Sequence, residues 1–165
     1  MTACKKSGPV QQMLNIIKYL DKNKFEACLL TIYPEPQDGS SQIDKYLPYV
    51  RHYFAPTGKI DIMIGRVRKI KEKLEEIRPD VIHSLGVFPD FAISRLRKFP
   101  QLITLRNYIW DDYPAKFGKI QGTILAKLHL YAMRHSAKNV ACSKSLADIY
   151  RNKMNLDLKN SKKQI

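Results

Sequence analysis

Chemistry in this chain of 165 residues would have to come from a few polar side chains that end short apolar runs. His83 follows Asp80-Val81-Ile82, and Ser84-Leu85-Gly86 follows it. Arg106 and Asn107 follow Gln101-Leu102-Ile103-Thr104-Leu105, and Ser143-Lys144 follow Asn139-Val140-Ala141-Cys142. Arg106 and Asn107 set a cation and an amide side by side after an apolar run. Asp111-Asp112, between Tyr108, Trp110 and Tyr113, offers a carboxylate pair among aromatic faces. Each candidate also has a structural reading: a buried satisfied histidine for His83, a helix cap for Ser143, loop packing for the aromatic and acidic residues.

Several chemistries are excluded. There is no G-x-G-x-x-G, so a dinucleotide fold is disfavoured, and Gly58-Lys59 and Gly118-Lys119 both precede Ile rather than the Ser/Thr of a phosphate loop. No G-x-S-x-G elbow occurs. His52, His83, His129 and His135 lack metal-ligand spacing, and Cys4, Cys28 and Cys142 are too scattered for zinc or a disulfide framework. No metal and no cofactor are expected. Scattered cysteines and the absence of a leader-like start point to a reducing, cytoplasmic location.

The candidates need elements to hold them. A helix is expected from Pro9 to Asp21, with Val10, Met13, Leu14, Ile17 and Leu20 on one face. A strand is expected over Phe25–Tyr33, turn chemistry over Pro34–Gln42, and a short helix followed by an extended stretch over Tyr46–Phe54. The stripe Met63, Val67, Ile70, Leu74 and Ile77 predicts a core-facing helix from Ile60 to Arg78. Then follow a strand at Asp80–Ser84, a helix from Pro89 to Lys98, a strand at Gln101–Leu105 and a polar aromatic loop from Arg106 to Phe117. A helix over Lys119–Ser136, a strand over Asn139–Cys142, a helix over Lys144–Met154 capped by Ser143, and a polar tail over Asn155–Ile165 complete the chain. Alternating strands and helices predict an α/β fold, a Rossmann-like parallel sheet with helices on both faces. Such sheets place their sites at the carboxyl ends of the strands, where the candidates fall.

The formal net charge is +14, with no acidic residue between Asp90 and Asp111 or between Asp112 and Asp148. Such a surface attracts nucleic acid, anionic lipid or phosphorylated small molecules. In the helix after Gly118, Ile120, Ile124 and Leu128 lie beside Lys119, Lys127 and Arg134, a pattern for resting on anionic lipid or for an ordinary solvated face.

Three motifs in order carry a resemblance. They are Gly8-Pro9 followed by Asn15-Ile16-Ile17-Lys18-Tyr19-Leu20, the run Arg78 to Gly86 (RPDVIHSLG), and Val140-Ala141-Cys142-Ser143-Lys144-Ser145. Together they resemble the glycine turn, the P-D-V/I-V/I-H-x-x-G strand and the strand-to-helix junction of family 4 retaining glycosyltransferases. Thr104 to Gly118 is similar to a subgroup seen among surface-polysaccharide enzymes. The resemblance spans about residues 7–154 and implies one half of a GT-B fold, the N-terminal, acceptor-holding domain.

Under that resemblance Arg106, Asn107 and His83 are the candidate catalytic residues. Gly8, Pro9, Gly86, Tyr108, Trp110, Asp111, Asp112, Tyr113, Ser143 and Lys144 are the candidate substrate-binding residues. Gly8 would let backbone N–H groups approach a donor phosphate. Many members of the family carry His where this chain has Arg106. The resemblance further implies a nucleotide-sugar donor held by a C-terminal domain or a partner chain, and a carbohydrate or lipid-linked acceptor. On this reading residues 1–154 form the domain, residues 155–165 begin a linker or tail, and the chain alone does not transfer sugar. A non-catalytic anchoring half of a split enzyme and a basic nucleic-acid-binding domain are the alternatives. No recognition helix or base-stacking motif supports the second.

Overall fold

The computed structural model describes residues 1–55, 63–156 and 159–160. The chain divides into two compact units, Met1–Ile77 and Arg78–Ile165. All named strand pairs are parallel.

In the first unit, helix α1 (Gly8–Tyr19) starts at Ser7, whose hydroxyl accepts a hydrogen bond from the Val10 N–H. The cap satisfies a donor that the first turn leaves without an intrahelical partner, and Pro9 loses nothing there. Val10, Met13, Leu14 and Ile17 are buried, as their spacing requires. Strand β1 (Cys28–Leu30) is much shorter than the expected Phe25–Tyr33. Residues 21–26 are exposed, and the Phe25 N–H bonds back to Asp21 in a turn that leaves α1. β1 pairs with strand β2 (His52–Phe54), in register Cys28↔His52 to Leu30↔Phe54. On its other side the first residues lie alongside: Met1 donates to the Leu30 carbonyl, and Ile32 and Tyr33 donate to Met1 and Thr2. Between the strands, helix α2 (Ile43–Tyr46) and a single 3₁₀ turn (Leu47–Tyr49) resolve the ambiguous stretch. Helix α3 (Met63–Ile77) buries Ile70 and Leu74 as the stripe predicts, whereas the expected helical residues Ile60–Ile62 lie outside those described.

The second unit is a four-stranded sheet in the order β3 (Ile82–Ser84), β4 (Gln101–Leu105), β5 (Lys138–Ala141), β6 (Lys159–Asn160). Parallel neighbours need crossovers, and helices supply them: α4 (Val87–Leu96), then α5 (Ile109–Phe117) with α6 (Lys119–His135), then α7 (Lys144–Met154). Ile103 and Leu105 of β4 and Ala141 of β5 pack with Ile109, Ala126, Met133, Leu146 and Tyr150 to form the core. Helix α4 opens two residues before the expected Pro89, with Pro89 in its first turn, and ends where Arg97 turns left-handed.

Two expectations are corrected. The segment Arg106–Phe117 is not a loop throughout: residues 109–117 form α5, with Pro114 inside it. Pro114 costs the helix one hydrogen bond, so local preference argues against it. Packing on α6 overrides that preference. Gly122 brings the helices so close that a Cβ there would sit 2.4 Å from the backbone of Tyr113 and Pro114. The tail is also not wholly outside the fold. Leu156 is buried, and Lys159–Asn160 add a strand to β5 at Val140 and Ala141. Edge pairing satisfies backbone groups and asks little of side-chain type, so a polar sequence conceals it. Residues 157–158 and 161–165 lie outside those described.

Candidate active site

In the second unit the candidates gather where the parallel strands end. His83 is the middle residue of β3, and its Nε2 shares a hydrogen bond of 2.8 Å with Thr104 Oγ1 on β4. Burial first, then the neighbouring Arg106 charge, drive its pKa down to about 4, so the ring is neutral at pH 7. It can donate or accept a hydrogen bond there but brings no charge. Arg106, half-buried directly after β4, donates from Nη1 to the Thr104 carbonyl at 3.4 Å. Burial lowers its pKa and the Asp90 carboxylate opposes that, but a guanidinium keeps its charge. Arg106 thus places a cation held by main chain at this end of the sheet.

Asn107 is exposed, while its carbonyl accepts a hydrogen bond from the Tyr150 hydroxyl at 3.0 Å. The same hydroxyl accepts from the Ile109 N–H at 3.2 Å, so one buried tyrosine of α7 fixes the step from β4 into α5. Tyr108 lies edge-on against Tyr150, with Lys153 Nζ 4.9 Å from its ring centre. Trp110 packs half-buried against the core. Asp111 and Asp112 occupy the first turn of α5, Asp111 exposed and Asp112 half-buried, a placement the helix dipole favours. Ser143 caps α7 by accepting from the Leu146 N–H at 3.2 Å, and Lys144 is exposed beside it. Cys142 continues the β5 ladder by donating its N–H to Leu105. Gly86, at φ 101°, makes the turn from β3 into α4, a backbone conformation that side chains resist.

The strand ends thus bring together His83, Arg106 and Asn107, with Gly86, Ser143 and Lys144 at the starts of the following helices. Gly8 and Pro9 belong to the first unit, where Gly8 is exposed in the first turn of α1. Of the two readings open for Tyr113, sugar stacking or packing, the structure shows packing contacts. The Tyr113 hydroxyl hydrogen-bonds His129 Nδ1 at 2.6 Å, and the planes of the two rings are nearly parallel, 9° apart. His129 Nε2 in turn lies 3.0 Å from Asp90 Oδ2, an electrostatic contact whose direction falls outside hydrogen-bond geometry. Asp90 and His129 are 2% and 6% exposed. Sequence reasoning missed this chain of contacts because its members stand on three separate helices. The only signal was an acid in the first turn of α4. Among the described residues no three His, Cys, Asp or Glu side chains cluster as a metal site would require.

The family model described as Glycosyltransferase Family 4 matches residues 6–161. The chain belongs to glycosyltransferase family 4. No curated protein matches it. For a family 4 glycosyltransferase domain, a nucleotide-sugar donor and an acceptor are the substrates in general. The α/β fold with parallel sheets flanked by helices is the one the resemblance implied.

Proposed function

We propose that this domain is the acceptor-holding half of a GT-B enzyme, one that passes a hexose from a nucleotide-sugar to a carbohydrate or lipid-linked acceptor with retention. The observation that supports it is the family match combined with a main-chain-held guanidinium and an exposed amide at the carboxyl end of β4. On this reading Arg106 stabilises negative charge on the leaving diphosphate, and Asn107 orients an acceptor hydroxyl. Neutral His83 hydrogen-bonds the acceptor. Tyr108, Trp110, Asp111 and Asp112 border the sugar, while Gly86, Ser143 and Lys144 line the approach of phosphate or hydroxyl groups. The donor is carried by a separate domain or partner chain, at the cytoplasmic face of the membrane, in the synthesis of surface polysaccharide or glycolipid.

The test is a transfer assay with labelled nucleotide-sugars, run on the chain alone and on the chain with its donor-binding counterpart. Transfer is expected only in the second case. Arg106→Ala should then lower kcat/KM by about 10²–10³, the usual effect of removing a group aimed at developing charge. Transfer that persists with Arg106→Ala at the normal rate removes the assigned role. Assembly with the counterpart but no transfer by any sugar favours a non-catalytic anchor.

A further inference from the structure

The junction of α5 and α6 leaves apolar side chains in solvent. Phe117 is 45% exposed, Ile120 79% and Ile124 53%. Helix α6 has spent its other face: Gly122, Ala126, His129 and Met133 are buried, against α4, α5 and the core that includes Ile103, Leu105 and Ala141 of the sheet. Ile120 and Ile124 stand one turn apart on the outer face, and Phe117 sits just before the break at Gly118, where φ is 79°. Single exposed apolar residues mean little, but three large ones within eight positions form a patch.

The patch is ringed by positive charge. Lys116, Lys119 and Lys127 are all exposed, and no acidic residue occurs between Asp112 and Asp148. The carboxylates on the packed helices are distant along the chain or hidden: Asp90 is buried, and Asp111 and Asp112 occupy the opposite end of α5. Apolar side chains inside a lysine frame suit a phospholipid surface, where the chains enter the acyl boundary and the ammonium groups meet anionic headgroups. A solvated helix has no use for the isoleucines, and a nucleic acid would not bury them.

Topology places the patch. Helix α6 leads into β5, which runs parallel to β4, so α6 runs against the strands and its first turn lies at their carboxyl ends. Arg106 and Asn107 follow β4 at that same end. We infer that the α5–α6 corner docks this domain onto an anionic membrane through Phe117, Ile120 and Ile124, with Lys116, Lys119 and Lys127 contacting the headgroups. That the docking serves a lipid-linked acceptor rests on the proposed function, whereas the docking itself does not.

Co-sedimentation of the full chain with phosphatidylcholine vesicles, with and without about 30% phosphatidylglycerol, tests it at low salt. The chain should pellet with the anionic vesicles and remain in solution with pure phosphatidylcholine. Ile120→Ser with Ile124→Ser should weaken vesicle affinity by about tenfold or more. Lys116→Gln, Lys119→Gln and Lys127→Gln together should abolish the preference for anionic lipid and keep the test open if the serine variant does not fold. No pelleting of the wild type overturns the proposal, as does unchanged binding by both folded variants. So does a concentration-dependent self-association, removed by the serine variant, without vesicle binding. Loss of docking beside intact transfer sinks only the docking, while docking without transfer leaves it standing.

Discussion

His83 illustrates how a single side chain is converted by its surroundings. Half-buried, beside Arg106 and bonded to Thr104, it takes up a proton near pH 4, where an unfolded chain takes one up near pH 6.5. Between those values the unfolded state binds more protons, so stability falls as pH drops through the window. The loss amounts to at most about 3 kcal/mol. Urea unfolding of the wild type and of His83→Gln at about pH 7 and about pH 4.5 checks this, with a smaller loss expected for the variant. An equal loss would place the acid sensitivity elsewhere. The type and position of His83 were legible in the sequence, but its neutrality was not, because burial and the Arg106 contact are properties of packing. Ser143 is the opposite case: a serine before a helix predicts a cap, and the structure has one.

At the level of elements, periodicity located α1 and α3 to within a few residues, since each buries one apolar stripe. α5 escaped because Pro114 and a run of polar and aromatic residues are loop signals. Its stability is tertiary, drawn from Gly122 against the Tyr113–Pro114 backbone and from the Tyr113–His129–Asp90 contacts. Gly122→Ala is the direct probe. Alanine favours an isolated helix by about 1 kcal/mol. Here its Cβ would meet main-chain atoms that cannot swing aside, so α5 and α6 must separate. A net destabilisation of about 1–3 kcal/mol is expected, read as a lower urea midpoint. A variant as stable as the wild type would mean that the two helices part at little cost. Under the proposed function, in which Trp110, Asp111 and Asp112 of α5 border the sugar, such a change should also disturb acceptor binding.

For the whole molecule, the formal charge of +14 is the dominant long-range term. Like charges within a Debye length repel in the folded state more than in the expanded chain, and salt shortens that length. The melting temperature should therefore rise as sodium chloride is raised from about 0.02 M to about 0.15 M. A flat or falling curve would show that the basic residues are already compensated by neighbours. The same charge would attract polyanions in general. It takes the apolar patch of Phe117, Ile120 and Ile124 to single out a membrane among them.

Composition, strand–helix alternation and three ordered motifs determined the α/β class and the family, because patterns of burial and caps are written locally. The tertiary structure decided the rest. It shortened β1 to the length its partner can pair, made α5 a helix, and drew Lys159–Asn160 into the sheet. It also joined Asp90, Tyr113 and His129 beneath α5 and left Ile120 and Ile124 uncovered. Each of these depends on which surface meets which across many residues of chain, a contact that no local window of sequence contains.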